Sequence, residues 1–567
     1  MCEYTLGPTA LLASGWSEHN VRLAHKSSGV KSMAERRRKF WGWGYEDQGP
    51  NPEQQQKMAE RMANRFGLGP LTILPHPTEA ELNLRPPRVR PPDSLAPIFS
   101  TSTYERAAHT YGRGFRDLVR AYRRDYPNPF DLVAYPRDEQ DLVRILEWCD
   151  GERIAASPYG GGSSVVGGVE PPDQGDYRGA LSIDLARLDK VLEIDRASRA
   201  ARIQAGVFGP ALEEQLRLHA LTLRHFPQSF EFSTLGGWIA TRSGGHFATL
   251  YTHIDDFVES LRVVTPAGIV ESRRLPGSGA GPSPDRMFIG SEGIFGVITE
   301  AWMRLQDRPN FRAGASVPFA DFVTGAKAVR AISQAGLYPA NCRLLDPGEA
   351  LNAGANSGDA AVLVLAFESA DHPLDAWFRR ALECCADFGG RIPTTAAASA
   401  TASAGMREGE AGAWRQAFLN APYLMDTVAA MGMVSDTFET AITWDRFENF
   451  HHSLMETAQR AVAKVCGKGT VTVRFTHAYP DGPAPYYTVL APGRRGSELE
   501  QWDEIKAAVS DELIRLGGTI THHHAVGRYH RRWYDQQRPA GFARALSAAK
   551  RALDPNAILN PGVLVDP

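Results

Sequence analysis

Residues 158–168 read Pro-Tyr-Gly-Gly-Gly-Ser-Ser-Val-Val-Gly-Gly, and this stretch is the most informative one for the fold. Three consecutive glycines, Gly160 to Gly162, allow backbone N–H groups to come close to a ligand and to turn inward around an anion such as phosphate. Ser163 and Ser164 add hydroxyl donors. The stretch matches neither the G-x-G-x-x-G fingerprint nor the G-x-x-x-x-G-K-[ST] loop. Taken alone, it predicts either a phosphate-binding loop or a plain structural turn.

The composition is that of an ordinary globular protein with more than one domain. The chain has 567 residues, of which 43% are hydrophobic and 22% charged, and this length is too great for a single core. A formal net charge of −3 offers no electrostatic attraction to nucleic acid. The six cysteines lack C-x-x-C spacing, which argues against structural zinc, an iron–sulfur cluster and a disulfide framework. We therefore expect a cytoplasmic protein.

The hydrophobic pattern divides the chain into an irregular N-terminal extension (1–100), an α+β domain (101–309), a second mixed domain (310–540) and a C-terminal segment (541–567). The basic–aromatic cluster at 36–45 is predicted to dock on the main body; the alternative is contact with a cofactor or a membrane surface. Predicted strands lie at 130–135, 153–157, 180–185, 191–194, 201–205, 257–265 and 360–368, with helices at 138–149 and 209–219. Asp138 is placed to cap the first helix. Residues 394–412 are predicted to form a mobile or partly disordered insertion.

Two further segments share the character of the glycine stretch. Residues 226–245 and 289–300 both combine small residues and hydroxyls with adjacent apolar strands. Backbone edges of this kind suit a long, flat, partly polar ligand. Three such segments in one domain are more specific than a single glycine run.

Together these segments resemble the PCMH-type FAD-binding domain of the vanillyl-alcohol oxidase superfamily. Within it, the chain is similar to the alkyldihydroxyacetonephosphate synthase (alkylglycerone-phosphate synthase) family. Residues 42–45 resemble the family's GWG-Y motif, 231–242 its EFST-GGW-TR stretch, and 290–301 its GSEG-GVITEA stretch. The resemblance implies a PCMH-type FAD domain of two subdomains and a mixed α/β cap domain. It also implies a C-terminal segment that returns to the FAD domain, and FAD bound non-covalently.

The same resemblance assigns the three segments to the cofactor. The residues expected to contact FAD are Pro158, Tyr159, Gly160, Gly161, Gly162, Ser163, Ser164, Val165, Gln228, Ser229, Phe230, Glu231, Phe232, Ser233, Thr234, Gly237, Thr241, Arg242, Ser243, Gly244, Glu292, Gly293, Ile294, Phe295, Gly296, Val297 and Ile298.

The residues that the resemblance assigns to catalysis lie in the second domain. They are Arg343, needed for activity; Arg474, which binds substrate; Tyr486 as acid/base, with Tyr487 as the alternative register; and His522, His523 and His524. On a strand, His522 and His524 would share a face that His523 does not. No acidic or cysteine cluster completes a coordination set around the histidines, so no metal is predicted.

The resemblance implies exchange of the acyl group of acyl-dihydroxyacetone phosphate for a fatty alcohol, in ether lipid synthesis, through a flavin N5 adduct. Tyr486 or a histidine would remove a proton, and a tyrosine pKa of about 10 would need lowering or matching for this role. The alternative is oxidation of a 2-hydroxy acid such as lactate or glycolate, with Arg474 holding the carboxylate. The partner is a small-molecule or lipid substrate. Peripheral membrane contact and a homodimer are further expectations. His246 is expected to be either a hydrogen-bonded histidine near the cofactor or a catalytic residue.

Overall fold

Three large β-sheets organise the chain. The computed structural model describes residues 36–566 except 174, 252, 353–357 and 394–421. The strands are β1 (Phe99–Ser100), β2 (Leu132–Ala134), β3 (Ile154–Tyr159), β4 (Gly179–Asp184), β5 (Val191–Asp195), β6 (Ala200–Gln204), β7 (Leu221–Thr222), β8 (Val258–Thr265), β9 (Gly268–Glu271), β10 (Val297–Arg304), β11 (Gln306–Asp307), β12 (Phe311–Phe319), β13 (Asn341–Leu345), β14 (Ala361–Ser369), β15 (Met433–Glu439), β16 (Thr470–Ala478) and β17 (Pro483–Pro492).

Helices connect and cover these strands. Those of six residues or more are Pro52–Phe66, Thr103–Thr110, Phe115–Tyr122, Glu139–Glu152, Gly209–Arg217, Leu235–Thr241, Phe322–Gln334, Pro347–Asn352, Asp375–Asp387, Trp444–Cys466, Glu498–Arg515, Arg531–Gln537 and Ala540–Leu553. Residues 422–430 are also helical. In the described part of the chain, no helix has both the length and the apolar character needed to cross a membrane.

The first sheet has the order β1-β2-β4-β3, in which β2, β4 and β3 run parallel. Helix Glu139–Glu152 packs on β3, and its fully buried residues include Leu142 and Ile145. The carboxylate of Asp138 accepts a hydrogen bond from the Asp141 N–H at 2.8 Å, which confirms the predicted cap. The second sheet is antiparallel, with the order β5-β6-β10-β8-β9. These two sheets are the two halves of the first domain.

The third sheet, with the order β12-β14-β13-β16-β17-β15, forms the second domain. Along β13, β16 and β17, residues of the apolar core alternate with residues that point to the other face, whereas β14 is apolar on both faces. Val473, Phe475, Tyr487 and Val489 belong to the largest hydrophobic core, together with residues of the helices that cover this face. The opposite face is left for the functional site.

The N-terminal end of the described chain packs against both domains, and the C-terminal end packs against the first. Segment 36–45 docks as predicted: Phe40, Trp41 and Trp43 are buried, and Lys39 forms a buried ion pair with Asp426 at 2.8 Å. Residues 558–560 lie beside β3, with the Ala156 N–H donating to the carbonyl of Ile558. The predicted insertion at 394–412 lies entirely outside the described residues.

Candidate active site

A cavity of about 410 Å³ lies between the two sheets of the first domain and the polar face of the third sheet. The glycine segment and residues from the 226–246 and 291–298 segments line one part of it. Arg343, Arg474, Tyr486, His523 and His524 line the other part. The three segments of the first domain and most of the predicted catalytic residues therefore meet in one space, although they are separated by hundreds of positions in sequence.

The glycine segment is shaped by close packing against residues 232–234. A Cβ atom added to Gly161 would lie 1.7 Å from the carbonyl oxygen of Phe232, and one added to Gly160 would lie 2.2 Å from Oγ1 of Thr234. The N–H groups of Gly161, Gly162 and Ser163 form no hydrogen bond with other described residues. Unsatisfied N–H groups at the wall of a cavity fit an anionic group such as a pyrophosphate. The residues present thus fit the phosphate part of FAD.

Replacement of Gly161 tests this packing. We expect Gly161→Ala to lower FAD affinity about tenfold or more, because the new Cβ atom would displace the glycine segment from residues 232–234. Bound flavin per protein after gel filtration, and the Kd from flavin fluorescence quenching, measure the effect. Gly151→Ala is the matched control, since a Cβ atom there meets no atom within 4 Å. Wild-type flavin affinity in Gly161→Ala would contradict this account of the loop.

Six residues predicted to contact the cofactor do not line the cavity: Phe230, Glu231, Phe232, Arg242, Ile294 and Phe295. Phe230 and Phe232 pack against other aromatic rings. Glu231 accepts a hydrogen bond from the Tyr423 hydroxyl, and Arg242 forms an ion pair with Asp255 at 2.8 Å. Ile294 and Phe295 are fully buried in the core of the first domain. These six side chains pack within the protein because neighbouring side chains of the segments point in different directions.

Glu292 lies on the cavity wall and is held by the chain that follows the histidines. Its carboxylate accepts hydrogen bonds from the N–H groups of Val526 at 2.9 Å and Gly527 at 2.8 Å. Burial raises the pKa of Glu292 to about 7, and these hydrogen bonds only partly oppose the effect. The protonated form is therefore favoured in the native state up to neutral pH.

This raised pKa predicts a pH-dependent stability. Between about pH 4.5, where the unfolded carboxyl titrates, and about pH 7, the native state binds more protons than the unfolded state. We expect the free energy of unfolding to fall by about 3 kcal/mol as pH rises through this window, and the Glu292 contribution to stay constant above it. Urea unfolding of wild type and Glu292→Gln at pH 5 and pH 8 measures the difference. The exposed Glu147→Gln is the control, and an unchanged slope in Glu292→Gln would contradict the assignment.

Strand register places the predicted substrate arginine beside the predicted tyrosine. Arg474 on β16 pairs with Tyr486 on β17 and also with Leu345 on β13. Directly paired residues project to the same face, so Arg474 and Tyr486 share the polar face. The Arg474 guanidinium lies over the Tyr486 ring, 4.0 Å from its centroid. Tyr487 projects to the opposite face, where it is fully buried and its hydroxyl lies 3.2 Å from Nδ1 of His451. Tyr486 therefore lines the cavity, whereas Tyr487 does not.

The buried Arg343 and the largely buried Arg474 place positive charge in this part of the cavity. Arg474 donates to Oε2 of Glu349 at 2.6 Å, while its Nε atom is buried without a hydrogen-bond partner. Burial alone would lower the pKa of Arg474, but Glu349 and Tyr486 more than offset this and the pKa is raised. Burial and repulsion by Arg474 lower the pKa of Arg343 to about 9. A bound anion would relieve this repulsion, so the pair fits an anionic substrate group.

Tyr486 keeps its proton in this environment. Burial raises its pKa, although the charge of Arg474 and a hydrogen bond with Thr437 act in the opposite direction. The expected lowering of the tyrosine pKa is thus not produced by the arginine. Tyr486 is therefore suited to donate a hydrogen bond or a proton at neutral pH rather than to remove one.

The three histidines form a loop around a carboxylate instead of a strand. Residues 521–524 lie outside the regular strands, and Glu439 accepts hydrogen bonds from the backbone N–H groups of His522, His523 and His524 at 2.5, 3.0 and 2.9 Å. The prediction that these histidines alternate between two faces of a strand is wrong, because the N–H groups of all three successive residues point toward the Glu439 carboxylate. His523 and His524 line the cavity, whereas His522 does not. Burial lowers the pKa of all three imidazoles, which favours their neutral forms.

Comparison with known proteins decides the family. Residues 130–272 match the FAD binding domain family, and residues 308–564 match the C-terminal domain of FAD-linked oxidases. The alkyldihydroxyacetonephosphate synthase of Dictyostelium discoideum is 30% identical over 475 residues, which cover 81% of this chain and 77% of that protein. The chain belongs to the alkyldihydroxyacetonephosphate synthase family. It is an FAD-dependent enzyme, which confirms the predicted cofactor and family.

More distant similarities extend to oxidases and to solved structures. Glycolate oxidase subunit GlcD of Bacillus subtilis is 26% identical over 449 residues, which cover 77% of this chain and 89% of that protein. A solved alkyldihydroxyacetonephosphate synthase structure has a TM-score of 0.76 at 23% identity and covers 92% of this chain and 98% of its own. This likeness confirms the predicted PCMH-type FAD domain with its cap domain.

Several cavity residues were missed by sequence reasoning. Arg113, His477, Lys506 and Asn560 all line the cavity. Trp43 also lines it, which favours the alternative prediction that the basic–aromatic cluster contacts the cofactor. A register shift between Phe475 and His477 allows Thr476 and His477, adjacent in sequence, both to reach it. The Thr-His pair after Arg474 was visible in the sequence, but the register shift depends on pairing with β17. His246 also lines the cavity, and its Nε2 atom lies 3.3 Å from Nδ2 of Asn341.

Proposed function

We propose that this enzyme exchanges the acyl group of acyl-dihydroxyacetone phosphate for a fatty alcohol and so makes an ether-linked lipid precursor. The observation that carries the proposal is a pair of arginines, the buried Arg343 and the largely buried Arg474, on the cavity wall opposite the FAD segments. Two guanidinium charges, partly offset by Glu349, suit a doubly charged phosphate better than a singly charged carboxylate.

The side chains around the arginines supply the remaining roles. FAD, when bound, supplies an electron sink for the reacting carbon. Neutral His523 and His524 can accept a proton, and protonated Tyr486 can donate one to the leaving carboxylate. Apolar cavity residues, among them Phe115, Met425 and Trp502, offer a wall for hydrocarbon and exclude water.

The substrate suggests where the enzyme works. We extend the proposal to a cytoplasmic protein that contacts membranes peripherally, because fatty substrates partition into lipid. The five cysteines within the described residues, Cys149, Cys342, Cys384, Cys385 and Cys466, are free, which supports a reducing compartment. A homodimer is compatible with this proposal and is testable by sedimentation.

Anaerobic incubation of the holoenzyme tests the proposed reaction. Acyl-dihydroxyacetone phosphate and a deuterated fatty alcohol are supplied, and the ether product and released fatty acid are measured by mass spectrometry. We expect equal amounts of both, without lasting bleaching of the flavin. Bleaching by lactate or glycolate with no ether product would replace the proposal with 2-hydroxy acid oxidation, the activity named for the more distant relatives.

A further inference from the structure

A line of hydrogen bonds connects the cavity to a partly exposed histidine that the site description does not use. Nδ1 of His523 lies 3.2 Å from Nδ1 of His522, and Nε2 of His522 lies 3.0 Å from the Tyr479 hydroxyl. The same hydroxyl lies 2.6 Å from Nε2 of His253. We infer that these four side chains form a proton relay, in which His523 is the base at the cavity and His522, Tyr479 and His253 carry its proton outward.

The outer end of the line determines which nitrogen of each ring carries hydrogen. Nδ1 of His253 lies 3.3 Å from the carbonyl oxygen of Arg242, and a carbonyl can only accept. His253 therefore carries hydrogen on Nδ1 and accepts the Tyr479 hydroxyl hydrogen at Nε2. The Tyr479 oxygen then accepts from Nε2–H of His522, so Nδ1 of His522 is left as a lone pair.

The lone pair on Nδ1 of His522 determines the hydrogen position in His523. Because Nδ1 of His523 lies 3.2 Å from that lone pair, His523 carries hydrogen on Nδ1 and donates it to His522. The Glu439 carboxylate, whose Oε2 lies 3.3 Å from the same nitrogen, also favours hydrogen there. The remaining lone pair of His523 is on Nε2, and this side chain lines the cavity. All hydrogens in the line thus point from the cavity toward His253.

Proton transfer along this line balances at every step. When Nε2 of His523 takes a proton from a bound substrate, its Nδ1 proton passes to Nδ1 of His522. His522 passes its Nε2 proton to the Tyr479 oxygen, and Tyr479 passes its hydroxyl proton to Nε2 of His253. His253 becomes an imidazolium ion and releases one proton to water. The reverse sequence returns a proton to the cavity and restores each starting form.

The surroundings explain why a route for the proton is needed. Burial, together with repulsion from the neighbouring imidazoles and Arg343, lowers the pKa of His523 well below the usual range. A base in this position cannot keep a proton and has to pass it on. Tyr479 is partly buried between the two histidines, and burial raises its pKa, so it remains protonated and available as a bridge.

A metal ion is the competing explanation for the same side chains. Nitrogens of His477, His522 and His523 lie within 4.8 Å of one another. Binding of one ion by His522 and His523 through Nδ1 would replace the hydrogen bond between these atoms and remove the hydrogen from both. His477 donates from Nε2 to the Gly245 carbonyl at 3.1 Å and leaves its own Nδ1 without a partner. The two explanations therefore predict different hydrogen positions in His522 and His523.

Histidine nitrogen NMR of the ¹⁵N-histidine-labelled holoenzyme tests the relay without any substrate. We expect hydrogen on Nε2 of His522 and on Nδ1 of His523 and His253, with signals assigned from single histidine-to-glutamine variants. In Tyr479→Phe, the Nε2 signal of His522 should shift while that of the exposed His219 stays in place. Hydrogen on Nδ1 of His522, or one bound metal ion per chain by elemental analysis, would overturn the relay.

Substrate proton exchange provides the second test and rests on the proposed function. In ²H₂O, we expect Tyr479→Phe and His253→Gln to slow the exchange of the substrate's reacting C–H hydrogen at least tenfold, with unchanged FAD content and KM. Added imidazole should restore much of the rate, because a soluble base can replace the missing route. His219→Gln is the matched control.

The two tests separate failure of the relay from failure of the proposed reaction. Wild-type exchange rates in both relay variants, with active wild-type enzyme, would overturn the relay alone. If wild type itself forms no ether product, the NMR measurement still decides the hydrogen positions.

Discussion

Replacement of Arg474 by methionine is expected to lower kcat/KM by about 100-fold or more, because the anionic group loses a charge-assisted hydrogen-bond donor worth about 3 kcal/mol. The Nε atom of Arg474 is buried without a partner and the side chain lines the cavity, so a substrate anion can complete its hydrogen bonding. FAD binding should be retained, since the segments that fit the cofactor lie in the other domain. Steady-state kinetics and the flavin spectrum of the purified variant measure both effects.

A double variant separates substrate binding from stability. In Arg474→Met alone, the Glu349 carboxylate remains buried and loses its 2.6 Å partner, which should destabilise the protein by about 3–5 kcal/mol. Arg474→Met with Glu349→Gln removes both charges, so stability should recover while activity stays low. Recovery of activity together with stability would show that Arg474 acts only as a structural partner of Glu349.

Replacement of Tyr486 by phenylalanine is expected to lower kcat by roughly 10²- to 10⁴-fold, the usual contribution of a positioned proton donor. The variant removes only the hydroxyl, so the ring remains below the Arg474 guanidinium, 4.0 Å from its centroid in the wild type. Fold and FAD content should therefore match the wild type. Single-turnover kinetics on the holoenzyme isolates the chemical step.

Tyr487→Phe is the matched control for this variant. Its hydroxyl contacts His451 on the core side, so we expect near-normal kcat and a stability loss of about 1 kcal/mol. The raised pKa of Tyr486 also predicts that kcat/KM does not rise with deprotonation of this residue between about pH 8 and pH 10. A rising alkaline limb that disappears in Tyr486→Phe would assign the residue as a base instead.

Local sequence signals predicted much of the fold. The cap at Asp138, the helix that follows it and the buried strand at 361–369 depend on neighbouring residues, so they are readable from the chain itself. The three glycine- and hydroxyl-rich segments identified the cofactor for the same reason: backbone access requires small residues close together in sequence. Individual contacts were less predictable, as Phe230, Glu231 and Phe295 show, because side-chain direction depends on distant packing partners.

The sequence by itself determined the family, the cofactor and the residue types available for catalysis. Tertiary structure alone decided their arrangement. Pairing of β16 with β17 brought Arg474 beside Tyr486 and turned Tyr487 into the core, and the register shift after Phe475 brought His477 to the cavity. Glu439, more than 80 positions earlier, gathered the histidines into a loop that points two of them at the cavity. The physical reason is that strand register and a buried carboxylate's partners depend on contacts between residues far apart in the chain.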